Sequence, residues 1–219
     1  MSVFDIIGPV MIGPSSSHTA GAVRLGKMAK TIANDEIVHC DIFLYGSFAK
    51  TYKGHGTDLA LIAGLLGFSA DDERIKNSFS IARERQITYR FIESNKKGYH
   101  PNTVEFHIQT VKGERIRVVG VSIGGGNIIV TEIDNFKVKL PGTFFTLIIP
   151  HRDKYGIISK ITGKVAEDKA NIAYMRVIRE EKGVSALMVL ETDHEVSPNC
   201  IENIKNLEEV IKVSFIKPI

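Results

Sequence analysis

The sequence predicts an α+β fold in two domains, the first over residues 1–140 and the second over residues 143–219, with the break at Pro141-Gly142. The second domain carries the plainer signal. Apolar runs at strand and helix spacing succeed one another there in the order βαββαβ, the ferredoxin-like split βαβ arrangement. The first domain opens with helix-spaced and strand-spaced segments. It then turns to a series of β-patterned runs separated by glycine-rich or polar breaks, which is more economical as α+β than as repeated βα units.

In chain order, residues 19–34 place Ala22, Leu25, Met28, Ala29 and Ile32 on one helical face, and Val38, Cys40, Ile42 and Leu44 then alternate as in a half-buried strand. A second helix starts near Thr57 or Asp58, both suitable N-caps, and continues through the apolar residues 59–66. Beyond Asp71 the pattern is β, over residues 87–92, 103–108, 116–123 and 128–133. In the second domain, residues 144–149 read as a strand and residues 156–168 as a helix, with Ile158, Ile161, Val165 and Ala166 on its inner face. Residues 172–179 and 184–191 form a hairpin about residues 180–183, where Gly183 supplies the conformational freedom of a tight connection. Pro198 opens a second helix bearing Ile201, Ile204 and Leu207, and residues 210–215 close the sheet. Such a module lays two helices on one face of a four-stranded antiparallel sheet and leaves its edges suited to pairing with another copy.

Composition narrows the class. Apolar residues make up 43% of the chain and charged residues 24%, an ordinary globular balance. No run approaches the ~18 consecutive apolar residues of a membrane span, and residues 1–8 have neither a basic start nor a long apolar stretch. The expectation is a cytoplasmic protein with no membrane partner. Cys40 and Cys200 lie far apart, which suits reduced, packed thiols and leaves no metal-ligand set in this chain. From Thr143 onward the charges balance, so the net +3 belongs to the first domain. Its one basic stretch, residues 83–90, is diluted by Glu84, and nucleic acid has no electrostatic footprint here.

Residues 8–21, Gly-Pro-Val-Met-Ile-Gly-Pro-Ser-Ser-Ser-His-Thr-Ala-Gly, gather two Gly-Pro pairs, Ser15, Ser16, Ser17, His18 and Thr19 where a helix begins. Free backbone N–H groups and the positive end of the helix dipole attract a carboxylate or phosphate there, and the hydroxyls add donors. His18 adds a group that titrates near neutral pH. Standing alone, the same residues read equally well as an N-cap at Ser17 or Thr19 and a solvated histidine. The Gly-x-Ser-x-Gly spacing of a serine hydrolase is absent. Lys53-Gly-His-Gly-Thr-Asp58 is a second candidate, in which glycines flank His55 just before another helix start. By itself it is also a glycine-rich connection with an incidental histidine. Gly124-Gly-Gly126 leads into another β run and is not a dinucleotide loop.

Taken together, Gly13-Pro-Ser-Ser-Ser-His-Thr-Ala-Gly21, Gly54-His-Gly-Thr-Asp58, Gly120-Val-Ser-Ile-Gly-Gly-Gly126 and the C-terminal module resemble the β subunits of iron-sulfur-dependent L-serine dehydratases, over nearly the whole chain. The resemblance implies a serine dehydratase beta-type, substrate-binding domain followed by an ACT domain. It also implies a subunit of a lyase, L-serine ammonia-lyase, that turns L-serine into pyruvate and ammonia, in amino-acid degradation and gluconeogenesis. A [4Fe-4S] cluster is then held by cysteines of a partner α chain in a heterodimer, and an open iron position acts on the serine hydroxyl while a base takes the Cα proton. On the same resemblance, Ser15, Ser16, Ser17 and Thr19 bind the substrate carboxylate, with Gly56, Thr57 and Asp58 also at the substrate. His18 and His55 position substrate or transfer protons. The loop with Asp153 and Gly156 is the place an ACT effector would occupy, although Tyr155 stands where many such loops carry proline, and self-association through the ACT domain is implied as well. The rival is a non-catalytic amino-acid-sensing regulatory protein.

Overall fold

A computed structural model describes residues 10–219, so Gly8-Pro9 and the other N-terminal residues whose composition argued against export lie outside the described residues. Two compact units emerge. One is built on the chain up to Asp134 together with Val138–Pro141, the other on Asn135–Lys137 and Gly142–Ile219.

In the first unit a π-type turn, Ser16–Ala20, runs directly into α1 (Gly21–Ala33). All five apolar residues of the expected face are buried. The buried surface is wider than one stripe, because Val23, Gly26 and Ala33 are inside too. β1 (Ile37–Tyr45) follows, then α2 (Gly46–Thr51) and α3 (Thr57–Leu65). The β pattern expected beyond Asp71 is interrupted by a 3-10 turn (Glu73–Asn77) and α4 (Ser78–Glu84). With α2, these short helices were not legible: six or seven residues span less than two turns and show no period. β2 (Thr88–Ser94), β3 (Thr103–Thr110), β4 (Arg115–Gly124), β5 (Asn127–Ile133) and the unforeseen β6 (Phe136–Leu140) complete a sheet of order β2-β1-β3-β4-β5-β6. β1 and β2 are parallel and joined through the helices, while β1, β3, β4 and β5 pair antiparallel.

Register decides which face is core. Cys40, Ile42 and Leu44 lie opposite Ile108, Phe106 and Val104, all of them buried, whereas Asp41 and Phe43 lie opposite His107 and Glu105 on the other face. On that second face the Glu105 carboxylate accepts from Tyr45 Oη at 2.6 Å, Arg117 Nε at 2.7 Å and His107 Nε2 at 2.7 Å, and Arg117 also donates to Glu132. Burial alone would raise the Glu105 pKa. The donors overcome it, led by Arg117, and hold it at about 2.

The helices meet the sheet and each other through glycine. A Cβ on Gly26 would fall 2.5 Å from the Leu61 carbonyl oxygen, and one on Gly64 would fall 2.2 Å from that of Val23, so α1 and α3 touch backbone to backbone. On its other side α1 is pressed to β4, where a Cβ on Gly21 would overlap Ser122 Oγ and one on Gly120 would overlap Leu25.

The second unit has the expected order, with β7 (Phe145–Arg152), α5 (Ile157–Glu167), β8 (Ile172–Glu181), β9 (Ser185–Thr192), α6 (Pro198–Lys205) and β10 (Ser214–Ile216). The sheet is antiparallel in the order β10-β7-β9-β8. Two details correct the expectation. The buried face of α5 is Ile157, Ile161 and Val165, with Ile158 and Ala166 exposed, because the helix starts at Ile157 and the i, i+4, i+8 row points inward. The last strand is only Ser214–Ile216, and Val210 makes a single bridge to His151. His151 is fully buried on β7, with Nδ1 bonded to the Ile149 carbonyl. Gly183 has φ 79°, as the tight hairpin requires.

Gly64→Ala is expected to lower the unfolding free energy by ~2 kcal/mol or more, because backbone cannot give way to a Cβ. Gly163→Ala, in α5 with open space around it, is expected to raise it by ~1 kcal/mol. Urea unfolding of both variants checks the pair. Acid makes a second test. A carboxylate whose pKa falls on folding from 4.5 to about 2 contributes stability that is present above the higher value and lost as pH falls through the lower. The urea midpoint of the native chain should therefore drop between those two values more steeply than that of Glu105→Gln.

Candidate functional site

The Ser15–Thr19 segment is shaped from its own residues upward. Ser15 is extended (φ −144°, ψ 127°) and caps the π-type turn, its Oγ accepting from the His18 backbone N–H at 3.1 Å. The cap is thus Ser15, not Ser17 or Thr19. Thr19 N–H donates to the Ser15 carbonyl at 2.8 Å, Gly21 N–H closes the wider turn on the Ser16 carbonyl, and Ser122 Oγ on β4 donates to the Ser17 carbonyl at 3.0 Å. The segment is therefore tied to the sheet as well as to α1. Gly13, at φ +141°, lies so close to Thr19 that a Cβ would overlap its side chain.

The second segment starts from α2. His55 N–H donates to the Thr51 carbonyl at 3.1 Å and Thr57 N–H to the Tyr52 carbonyl at 2.8 Å, so residues 51–57 coil tightly before α3. Thr57 and Asp58 are not its N-cap. Gly56 is, in the left-handed conformation (φ 66°), and Asp58 sits in the first turn, where its carboxylate accepts from Leu59 N–H. Partial burial raises the Asp58 pKa against that bond.

The α1–α3 contact brings the two segments together. The rings of His18 and His55 lie 4.9 Å apart between centroids, tilted by 52°, and Phe48 on α2 meets His18 edge-on at 5.2 Å. His18 Nε2 is 3.1 Å from Ser47 Oγ and its Nδ1 is 3.4 Å from Ser15 Oγ. Its pKa is lowered, first by burial and then by the charge of His55. Thr19 Oγ1 and Thr57 Oγ1 are buried without a hydrogen-bond partner among the described residues. Two helix starts, several hydroxyls and a histidine pair in one place have the chemistry to hold a small anion and to move a proton.

Ser47 and Phe48 escaped the sequence reading. The signal that marks them is Gly46, whose φ of 55° turns the chain sharply out of β1 and whose Cα packs on Pro101 with no room for a Cβ. Gly124, Gly125 and Gly126 all have positive φ and form the β4–β5 turn, and Arg24 of α1 donates to the Gly126 carbonyl at 2.9 Å. Asp153 and Gly156 belong to the second unit. Gly156 begins α5 at φ 83° beside a cleft of about 310 Å³, while Asp153 accepts from Gly183 N–H at 2.9 Å and pairs with Arg179, so its carboxylate ties the β8–β9 turn. Cys40 and Cys200 are buried thiols, one in each unit. Burial pushes both pKa values up, that of Cys200 to about 11. Among the described residues no group of three or more His, Cys, Asp or Glu side chains is arranged to hold a metal ion, and no helix is long and apolar enough to cross a membrane.

Comparison with known proteins points the same way over the whole chain. A family model described as serine dehydratase beta chain matches residues 2–134, and one described as AHAS small subunit-like ACT domain matches residues 147–212. A Bacillus subtilis protein named probable L-serine dehydratase, beta chain, is 43% identical over 215 residues, covering 98% of this chain and 97% of that one. The L-serine dehydratase beta chain of Peptoniphilus asaccharolyticus is 33% identical over 217 residues, covering 99% and 98%. A D-3-phosphoglycerate dehydrogenase of Synechocystis is 29% identical over 90% of this chain but only 34% of its own length.

His18 is expected to titrate below 6.5 in a proton NMR titration of the chain. His55→Ala should raise that value, because one of the two lowering causes is the neighbouring imidazolium. A His18 pKa unmoved by the substitution would mean the two rings are not neighbours in solution.

Proposed function

This chain belongs to the serine dehydratase beta chain family, and we propose that it is the β subunit of an iron-sulfur L-serine ammonia-lyase that presents the amino acid to a cluster carried by a partner α chain. The reading rests above all on the His18–His55 pair, 4.9 Å apart at two helix starts. Near-complete coverage of the dehydratase beta chains at 43% and 33% identity favours a catalytic subunit over a free-standing amino-acid sensor.

Each residue has a task in this reading. The amides of Ser15, Ser16 and Ser17 and the hydroxyls of Ser16, Ser17 and Thr19 take the substrate carboxylate, helped by the positive end of the turn that leads into α1. Thr57, whose buried hydroxyl has no hydrogen-bond partner among the described residues, offers a further donor beside Gly56, and Asp58 offers a carboxylate for the substrate amino group. His18 is partly buried and has a lowered pKa, so it is neutral near pH 7 and can accept a proton. His55, exposed above it, passes protons to or from the partner side. Elimination of water from serine needs one proton taken from Cα and a hydroxide departing, after which the enamine becomes an imine that water hydrolyses to pyruvate and ammonia; assistance to the departing hydroxide is the chemistry that the cluster would supply. The residues of this chain do not fit that cluster. Two thiols, each buried and in separate units, cannot provide three or four cysteine ligands, so no step is routed through it here.

The ACT unit is assigned to self-association. β8 is the edge of its sheet, with Tyr174 and Met175 exposed on it, and pairing two such edges would extend the sheet between copies.

The test is pyruvate release from L-serine under anaerobic conditions, by this chain alone and by the chain co-expressed with a cysteine-bearing α chain. Activity is expected only in the complex. His18→Ala in that complex should lower kcat by ~10²-fold or more while iron and sulfide content stay constant. Full turnover with His18→Ala would end the assignment.

A further inference from the structure

The ring of His18 meets Phe48 edge-on at 5.2 Å and His55 at 4.9 Å, and the part each of its nitrogens plays depends on which one carries the proton. Ser15 Oγ accepts from the His18 backbone N–H at 3.1 Å. A hydroxyl that accepts in this way keeps its own proton, and it can give that proton to His18 Nδ1 at 3.4 Å. With Nδ1 accepting, Nε2 carries the ring proton and meets Ser47 Oγ at 3.1 Å. Ser47 is held independently of the ring. It lies half-buried in the first turn of α2, where its carbonyl accepts from Thr51 Oγ1 at 2.9 Å, and the next residue, Phe48, donates its N–H to the Pro101 carbonyl at 3.2 Å.

We propose that Ser47 is a positioning residue that holds His18 in the Nε2–H tautomer, so that the basic lone pair lies on the Nδ1 side, next to Ser15. Such a hydrogen bond to the far nitrogen is how proteins set which imidazole nitrogen is free to react. The inference rests on the reading of His18 given under Proposed function. It extends that reading to a residue that makes no direct claim on the substrate.

The experiment has two readouts. Long-range ¹H–¹⁵N spectra of the full-length chain, taken above the His18 titration, are expected to show the Nε2–H pattern in the native protein. Ser47→Ala should give a mixture of tautomers, and Ser47→Thr, which keeps the hydroxyl, should restore the native pattern. In the co-expressed complex, Ser47→Ala should lower kcat by ~10-fold or more with KM within about twofold, and Ser47→Thr should recover most of it. Identical His18 nitrogen shifts in the native chain and Ser47→Ala would overturn the proposal. A shifted tautomer with unchanged turnover would instead leave Ser47 as the group that sets the ring and remove His18 from the chemistry. A Ser47→Thr chain that fails to restore the tautomer, while folded by its amide spectrum, would also overturn it.

Discussion

Direct contact between the backbones of α1 and α3 at Gly26 and Gly64 fixes the geometry of the first unit. Helices with side chains at the crossing stand about 8 to 10 Å apart. Here each helix leaves a gap where the other's carbonyl sits, and the pair can close further. The consequence appears a few residues away. Both helices begin on the same side of that crossing, so the turn bearing His18 and the coil bearing His55 are drawn into ring contact. A similar absence of side chains, at Gly21 and Gly120, seats α1 on β4 and lets Ser122 reach the Ser17 carbonyl. The site is thus held from two directions by surfaces that tolerate no added methyl group.

That placement also sets the electrostatics. His18 is partly desolvated and stands beside a second imidazole, and both effects disfavour its charged form. A neutral imidazole, with Ser47 at Nε2 and Ser15 at Nδ1, is suited to taking a proton at neutral pH. Positive potential from the helix starts, meanwhile, favours an anionic group beside it. Charges needed for stability are kept elsewhere. Glu105, Arg117 and Glu132 lie on the opposite face of the sheet, bonded to each other and to Tyr45 and His107. The two faces of β1 divide these duties, Cys40, Ile42 and Leu44 serving the core and Asp41 the charged side, which pairs with Arg90 at 2.7 Å.

Much of this was legible before any coordinates. The βαββαβ order of the second unit follows from long elements with clear periods, and the first helix and first strand were readable for the same reason. What failed was short or terminal. α2, α4 and β6 are five to seven residues each, too brief for a period to show, and on α5 Ile161 and Val165 are buried as expected while Ile157 takes the place of Ile158, because the helix start is decided by the left-handed Gly156 rather than by a capping side chain. His151 lies in the core because β7 continues to Arg152, three residues past the apolar run 144–149.

By itself, the sequence determined the local chemistry: the serines and histidine at a helix start, the glycine-flanked second histidine, the order of elements in the second unit, and the lack of thiols for a cluster. These depend on residue type and near spacing, which a chain displays directly. Only the tertiary structure decided that His18 and His55 share a site, that Ser15 is the cap, that Ser47 and Phe48 frame the ring, and that Asp153 is occupied by the β8–β9 turn. Each of those is a contact between positions separated along the chain or a choice among adjacent candidates. Packing settles such choices, here through glycines whose importance lies in the atoms they lack.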